Sequence, residues 1–160
     1  MKSFEPQSRR EFCVNVCQMA SLVAFGGTLS ALLSGCSSED PVSSAPDLPR
    51  IQASAVGGRI TIAIDAASPL ASVGSAALVQ YSGGALLVAH TAQDSFLALS
   101  AICTHQGCTI TGYSNQVYTC PCHGSQFNTE GQVRRGPAAS PLRKFQTQFA
   151  NNQLTISLSS

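Results

Sequence analysis

Tryptophan is absent from this 160-residue chain, aromatic residues make up only 6% of it and charged residues only 11%. Large apolar side chains are scarce, so the core they can build is modest, and a cross-link or a metal is expected to help hold the fold. An excess of one charge is lacking as well. The formal net charge is +1, and from Cys36 onward six basic and six acidic side chains cancel. Nucleic-acid binding calls for a strongly basic face and is not supported. Helical periodicity is the third absence: after residue 50 no stretch keeps the 3.6-residue apolar repeat over three turns. The length suits one domain with a short appendage, which argues against a two-domain enzyme.

A long uncharged run is present near the N-terminus. From Phe12 to Ser38 no residue is charged, and Val14 to Leu33 is mainly apolar or small. That segment is long enough to cross a bilayer core of about 30 Å as a helix. It is set aside from fold reasoning as an address. Just before it, Ser8-Arg9-Arg10-Glu11-Phe12 resembles the twin-arginine export signal and departs from it at Cys13 and Val14. Leu33-Ser34-Gly35-Cys36 resembles a lipobox, in which Cys36 is lipidated and becomes the mature N-terminus; the alternative is an uncleaved membrane anchor. Either reading tethers the protein to the outer side of the membrane. Ser37 to Pro49 holds four Ser and three Pro, the composition of a flexible linker. The expected organisation is a leader or anchor at 1–36, a linker at 37–49 and one domain at 50–160.

Within that domain, Arg59–Asp65 and Gln153–Leu158 alternate apolar and polar residues in the period of half-buried strands. Shorter runs at Ala77–Tyr81, Ala85–His90, Phe96–Ser100 and Val117–Thr119 are separated by turn signals at Gly83-Gly84, Asp94-Ser95 and Ser114-Asn115. Many short strands with closely spaced turns predict an all-β domain, a small antiparallel barrel or sandwich. There is no internal repeat.

The cysteines sort by position. Cys13, Cys17 and Cys36 belong to the leader, which leaves Cys103, Cys108, Cys120 and Cys122 clustered within twenty residues. Cys103-Thr104-His105 and Cys120-Pro121-Cys122-His123 each offer a thiolate and an imidazole, with fourteen residues between His105 and Cys120. Two loops at that separation can close over one metal centre. The donor types alone suit structural zinc as well as iron.

The wider pattern is more specific. Cys103-Thr104-His105-Gln106-Gly107-Cys108 and Cys120-Pro121-Cys122-His123-Gly124-Ser125 resemble the two cluster-binding loops of Rieske iron–sulfur proteins. Gly136-Pro137-Ala138-Ala139-Ser140-Pro141-Leu142 is similar to the proline loop that covers the cluster in that family. The resemblance implies a Rieske-type β-fold with an inserted two-loop cluster-binding subdomain and one [2Fe-2S] cluster per chain. By the same likeness Cys103 and Cys120 bind the inner iron, and His105 and His123 the outer one. Cys108 and Cys122 match the disulfide of high-potential members; closing a loop of about fifteen residues is worth roughly 3 kcal/mol in the chain-entropy model. Structural zinc accounts for neither Cys108, nor Gly124-Ser125, nor the proline loop.

Ser125 matches the family's hydroxyl that donates to a bridging sulfide. Phe127 stands where many quinol-oxidising members carry Tyr, so a lower potential is expected. Gln106 stands where those members carry Leu.

The implied chemistry is one-electron transfer. Two ferric ions, two sulfides and two thiolates sum to zero charge, and one added electron makes the centre −1. Imidazole in place of thiolate moves the potential to about −150 to +300 mV, against about −400 mV for plant-type ferredoxins. Both imidazoles can present a ring N–H outward, which couples proton uptake to electron uptake as quinol oxidation requires. The expected role is the membrane-tethered iron–sulfur subunit of a quinol–cytochrome c oxidoreductase, with cytochrome b, quinol and a c-type cytochrome as partners. The alternative is a stand-alone periplasmic carrier, or the small subunit of an exported oxidoreductase such as arsenite oxidase. The expected location is the periplasmic side of a bacterial cytoplasmic membrane. A ring-hydroxylating oxygenase needs a second iron site with two histidines, and no His follows His123. His90 reads as structural or surface, and Tyr113 and Tyr118 as packing residues. Arg134, Arg135, Arg143 and Lys144 flank the proline loop, either as ordinary solvated charges or as a means of steering an acidic partner.

Overall fold

The computed structural model describes residues 45–159. The twin-arginine-like motif, the uncharged run and Cys36 lie outside the described residues. Within them the chain forms twelve strands and no helix: β1 Arg50–Gln52, β2 Ala55–Val56, β3 Arg59–Ala63, β4 Ala76–Tyr81, β5 Gly84–Ala92, β6 Ser95–Ser100, β7 Gly112–Ser114, β8 Val117–Thr119, β9 Gln126–Asn128, β10 Val133–Arg135, β11 Lys144–Ala150 and β12 Gln153–Ser157. The all-β expectation is met, and all six expected strands are present with ends shifted by at most two residues.

One sheet has the strand order β1-β4-β5-β6-β11-β12-β3-β2, and a smaller one the order β10-β9-β8-β7. The alternation of β3 has the predicted consequence: Ile60 and Ile62 are buried while Thr61 and Ala63 are exposed. These isoleucines share one apolar cluster with Leu154 and Ile156 of β12, and with Val79, Leu86 and Val88 of β4 and β5. Strands from both ends of the large sheet thus meet around a common core, which requires the sheet to curl.

β4 to β6 are covered on both faces. Ala77, Val79 and Val88 point into the curled core, while Ala76, Leu78, Leu87 and Leu99 join a second cluster with Tyr118, Phe127, Cys103, Cys120 and Leu142. Double coverage explains the nearly unbroken apolar runs in these strands, where a sheet with one wet face would alternate. The second cluster seats the four-stranded sheet and its loops against the large sheet. Burial of its larger apolar side chains contributes on the order of 1.5–3 kcal/mol each.

The N-terminal edge differs from expectation. Residues 46–49 were expected within the flexible linker, yet Leu48 is only 4% exposed and its amide donates to the Thr111 carbonyl at 2.7 Å. Asp47 bridges Gly112, and the Tyr113 amide donates to the Pro46 carbonyl at 2.9 Å. The physical reason is that Leu48 has an apolar seat and β7 presents an open edge to be paired. β1 adds to β4 in parallel, with Arg50 opposite Leu78.

Candidate metal centre

The two Cys/His loops fold on the same hydrogen-bond frame. In the first, the Cys103 amide donates to the Cys108 carbonyl at 2.8 Å and the Gly107 amide to the Cys103 carbonyl at 2.9 Å. In the second, the Cys120 amide donates to the Ser125 carbonyl at 2.9 Å and the Gly124 amide to the Cys120 carbonyl at 3.0 Å. Each loop runs from a buried Cys at position i through a glycine at i+4. Those glycines have φ of 75° and 70°, the left-handed region where a Cβ is costly. This frame is why Gly107 and Gly124 stand where they do.

Cys103 and Cys120 are the free cysteines among the described residues, and both are buried. Burial pushes the Cys120 thiol up, the amides of Cys122 and His123 aimed at its sulfur work against that, and the adjoining Cys103 thiol raises it again. The rings of His105 and His123 lie edge to face with centroids 4.9 Å apart. Cys108 and Cys122 are joined as a disulfide, which ties the first loop to the second. The sulfurs of Cys108, Cys120 and Cys122 all lie within 4.8 Å of one another. Because two of them are bonded together, Cys120 alone of that trio keeps a thiol for a metal, so the trio marks where the disulfide rests rather than a ligand set.

The proline loop is fastened to both Cys/His loops. Thr104 Oγ1 donates to the Ser140 carbonyl at 2.6 Å, and the Ala138 amide donates to Ser125 Oγ at 3.0 Å. Ser125 is wholly buried, and with its oxygen accepting from Ala138 its own proton is free to be given elsewhere. The Gly136-Pro137 peptide is cis; Pro137 is exposed while Ala138 and Leu142 are buried. Phe127 is 0% exposed and sits opposite Tyr118 on β8 and Val133 on β10. Gln106 is exposed beside His105.

Two free thiols in contact, two facing imidazoles and a buried His105 Nδ1 with no hydrogen-bond partner make a donor set of two sulfurs and two nitrogens. A [2Fe-2S] centre with two histidines on one iron asks for that set. A model of the Rieske [2Fe-2S] domain family matches residues 61–146. The chain belongs to that family. Its cofactor is a [2Fe-2S] cluster, and the residues present fit it.

Similar proteins agree in part of their length. The chain is 46% identical over 56 residues to the cytochrome b6-f complex iron–sulfur subunit 1 of Synechocystis sp., covering 34% of this chain and 32% of that relative. It is 40% identical over 68 residues to the cytochrome b6-f complex iron–sulfur subunit of Microcystis aeruginosa, covering 40% and 38%. The matched stretch thus spans about a third of those relatives. Among solved structures, the quaternary ammonium Rieske monooxygenase CntA with L-carnitine superposes with a TM-score of 0.51 at 17% identity, over 62% of this chain and 32% of that one. That likeness is of fold alone.

Outside the loops, His90 is structural: its ring is 9% exposed, hydrogen-bonds the Leu70 carbonyl at 2.9 Å through Nδ1 and stacks on Phe96 at 4.3 Å. Because a carbonyl only accepts, the Rieske domain holds this ring with its proton on Nδ1. Tyr118 is fully buried and Tyr113 packs against it at 4.9 Å, in keeping with a packing role. Thr104 and Gly107 stand in the first loop motif, but the parts they play there were not read from the sequence. Gly107 had a signal, since both Cys/His segments carry a glycine four residues after the first Cys; Thr104 had none, its partner lying 36 residues away.

Proposed function

We propose that Cys103, His105, Cys120 and His123 hold the [2Fe-2S] cluster, and that the chain carries single electrons as the membrane-tethered iron–sulfur subunit of a quinol–cytochrome c oxidoreductase. The observation that carries this reading is the pair of identically framed loops, locked by the Cys108–Cys122 disulfide, with their two free buried thiols in contact and their two imidazole rings edge to face. When bound, the cluster supplies a reversible one-electron acceptor. The chain does the rest. Cys103 and Cys120 anchor from the buried side, and the Cys122 and His123 amides point at the Cys120 sulfur and favour its negative form. Ala138, Leu142 and Ile110 close the buried side against water. His123 is exposed, so its ring is open to a substrate or to solvent.

The relatives named as cytochrome b6-f subunits support a partner complex of this kind, and the export-like leader, ending in a lipidated Cys36 or retained as an uncleaved membrane anchor, supports the periplasmic side. Among the described residues no helix is long and apolar enough to cross a membrane, so the tether in this reading rests on the leader. A redox titration at several pH values, followed by EPR, tests the proposal: a midpoint that falls as pH rises fits proton-coupled transfer to a quinol site, and a pH-independent midpoint contradicts it. Cytochrome b should copurify.

The exposed Gln106 favours a second reading, a stand-alone carrier or the small subunit of an exported oxidoreductase, because a polar side chain is a poor fit to an apolar quinol-site wall. Copurification with a molybdenum subunit decides for it.

A further inference from the structure

The charges of the domain are arranged by end. β10 pairs with β9 through a bulge: Val133 lies opposite Phe127 and Arg135 opposite Gln126, so Arg134 is the extra residue. In a regular strand Arg134 and Arg135 would point to opposite faces. The bulge cancels that alternation, and both arginines are exposed on an outer strand of the four-stranded sheet. They lead directly into the proline loop. Ala138, three residues beyond Arg135, is bonded to Ser125 of the second Cys/His loop, so at most about 11 Å of chain separates the arginine backbone from that contact. Arg143 and Lys144 follow the other end of the same loop, Arg143 lying over the Phe145 ring at 4.7 Å.

Three of the four acids in the described residues lie elsewhere. Asp94 is in the β5–β6 turn and shares a cleft of about 560 Å³ with Asp65; this is the end of β6 opposite to Cys103. Asp47 lies against β7, on the other edge of the small sheet. Glu130, in the β9–β10 turn, is the exception: its neighbour Gly131 accepts from the Leu142 amide at 2.9 Å, which sets it beside the end of the proline loop that leads into Arg143 and Lys144.

We propose that the bulged edge of β10, with Arg134, Arg135 and Lys144 around the proline loop, is the docking face for an acidic redox protein, placed so that its electron-accepting group meets the cluster end of the domain. The inference rests on the electron-transfer reading and adds the chemistry of the partner. Charge complementarity selects the occupant, because four of the six cations in the described residues border this loop and, of the four acids there, Glu130 alone adjoins it. A field of this shape speeds encounter with an anionic partner, and salt screens it over about 10 Å at 0.1 M.

The test uses full-length, cluster-loaded protein in detergent and two forms of one oxidant: native cytochrome c, which is basic, and fully succinylated cytochrome c, which is acidic. Stopped-flow oxidation of the dithionite-reduced protein should be about tenfold faster with the succinylated form at low salt, and the advantage should vanish as salt rises. The double variant Arg134→Gln/Arg135→Gln should lose most of the advantage while keeping the EPR signal and midpoint potential. Native cytochrome c reacting as fast or faster, or a double variant that behaves like the parent, overturns the proposal. Calorimetric binding of the succinylated protein reads the same face without electron transfer. Binding lost in the double variant supports the docking face even if the electron-transfer reading fails, and no binding overturns it. Cosedimentation with phosphatidylglycerol vesicles is the last arm: if the double variant loses vesicle binding but not succinylated-cytochrome kinetics, the face belongs to lipid and the proposal fails.

Discussion

Thr104 Oγ1 donates to the Ser140 carbonyl at 2.6 Å, joining the first Cys/His loop to the proline loop across 36 residues of sequence. A hydroxyl-to-carbonyl bond of this kind contributes about 1 kcal/mol net. Thr104→Val should therefore lower the midpoint of thermal bleaching of the visible spectrum by about 4 °C, and Thr104→Ser should restore most of it. Equal loss in both variants would mean that the methyl group, not the hydroxyl, matters.

Ser125 makes the corresponding link to the second loop, but from a fully buried position. Ser125→Ala leaves the Ala138 amide without its acceptor, at a cost of about 1–3 kcal/mol. In the proposed arrangement it also removes a donor that stabilises the more negative, reduced centre, so the midpoint potential should fall. A destabilised protein with an unchanged potential would assign Ser125 to loop packing alone.

Phe127 is buried in one apolar cluster with Cys103 and Cys120, where a phenol would bring in a donor. Phe127→Tyr should raise the midpoint potential, read by EPR-monitored titration, with little change in the EPR line shape. An unchanged or lower potential would show that the added hydroxyl does not reach a sulfur.

Tyr118 presents the opposite case: its hydroxyl is buried with no hydrogen-bond partner. Burial first, then the neighbouring Tyr113 phenol, push its pKa upward. The folded state therefore keeps a proton that the unfolded chain releases above about pH 10, and stability falls as pH rises beyond that point. Tyr118→Phe removes an unsatisfied polar atom and should leave stability near neutral pH unchanged or raised by up to about 1 kcal/mol. It should also flatten the decline above pH 10 in urea melts. A loss of more than about 1 kcal/mol would indicate a partner for the hydroxyl.

The strands whose apolar residues alternate sharply were legible. Ile60 and Ile62, or Leu154 and Ile156, bury one face only, and that leaves a period-two signature. β11 was not legible although it runs seven residues, because Phe145, Thr147 and Phe149 are only half-buried and alternate with Gln146 and Gln148, which weakens the contrast. β1 owes its existence to a parallel partner far along the chain, which no local pattern announces. Pro46, Pro49 and the nearby serines masked Leu48, whose burial makes residues 46–49 part of the domain.

The two Cys/His loops were legible for a different reason. Each Cys/His loop is a local unit closed by its own backbone bonds, so its residue types are set by short-range geometry and read as a motif. What fastens the loops to the proline loop, Thr104 to Ser140 and Ala138 to Ser125, depends on pairing between distant residues and was not visible. The disulfide came from the family likeness rather than from spacing.

In the proposed arrangement two histidines, His105 and His123, bind one iron of a single cluster. Pulsed ENDOR on the dithionite-reduced protein grown with ¹⁵N-histidine should show two distinct, strongly coupled nitrogens, with one lost in any His105 or His123 variant that still holds iron and neither affected by replacing His90. A reduced protein with no nitrogen coupling, or with no EPR signal and stoichiometric zinc, would contradict it.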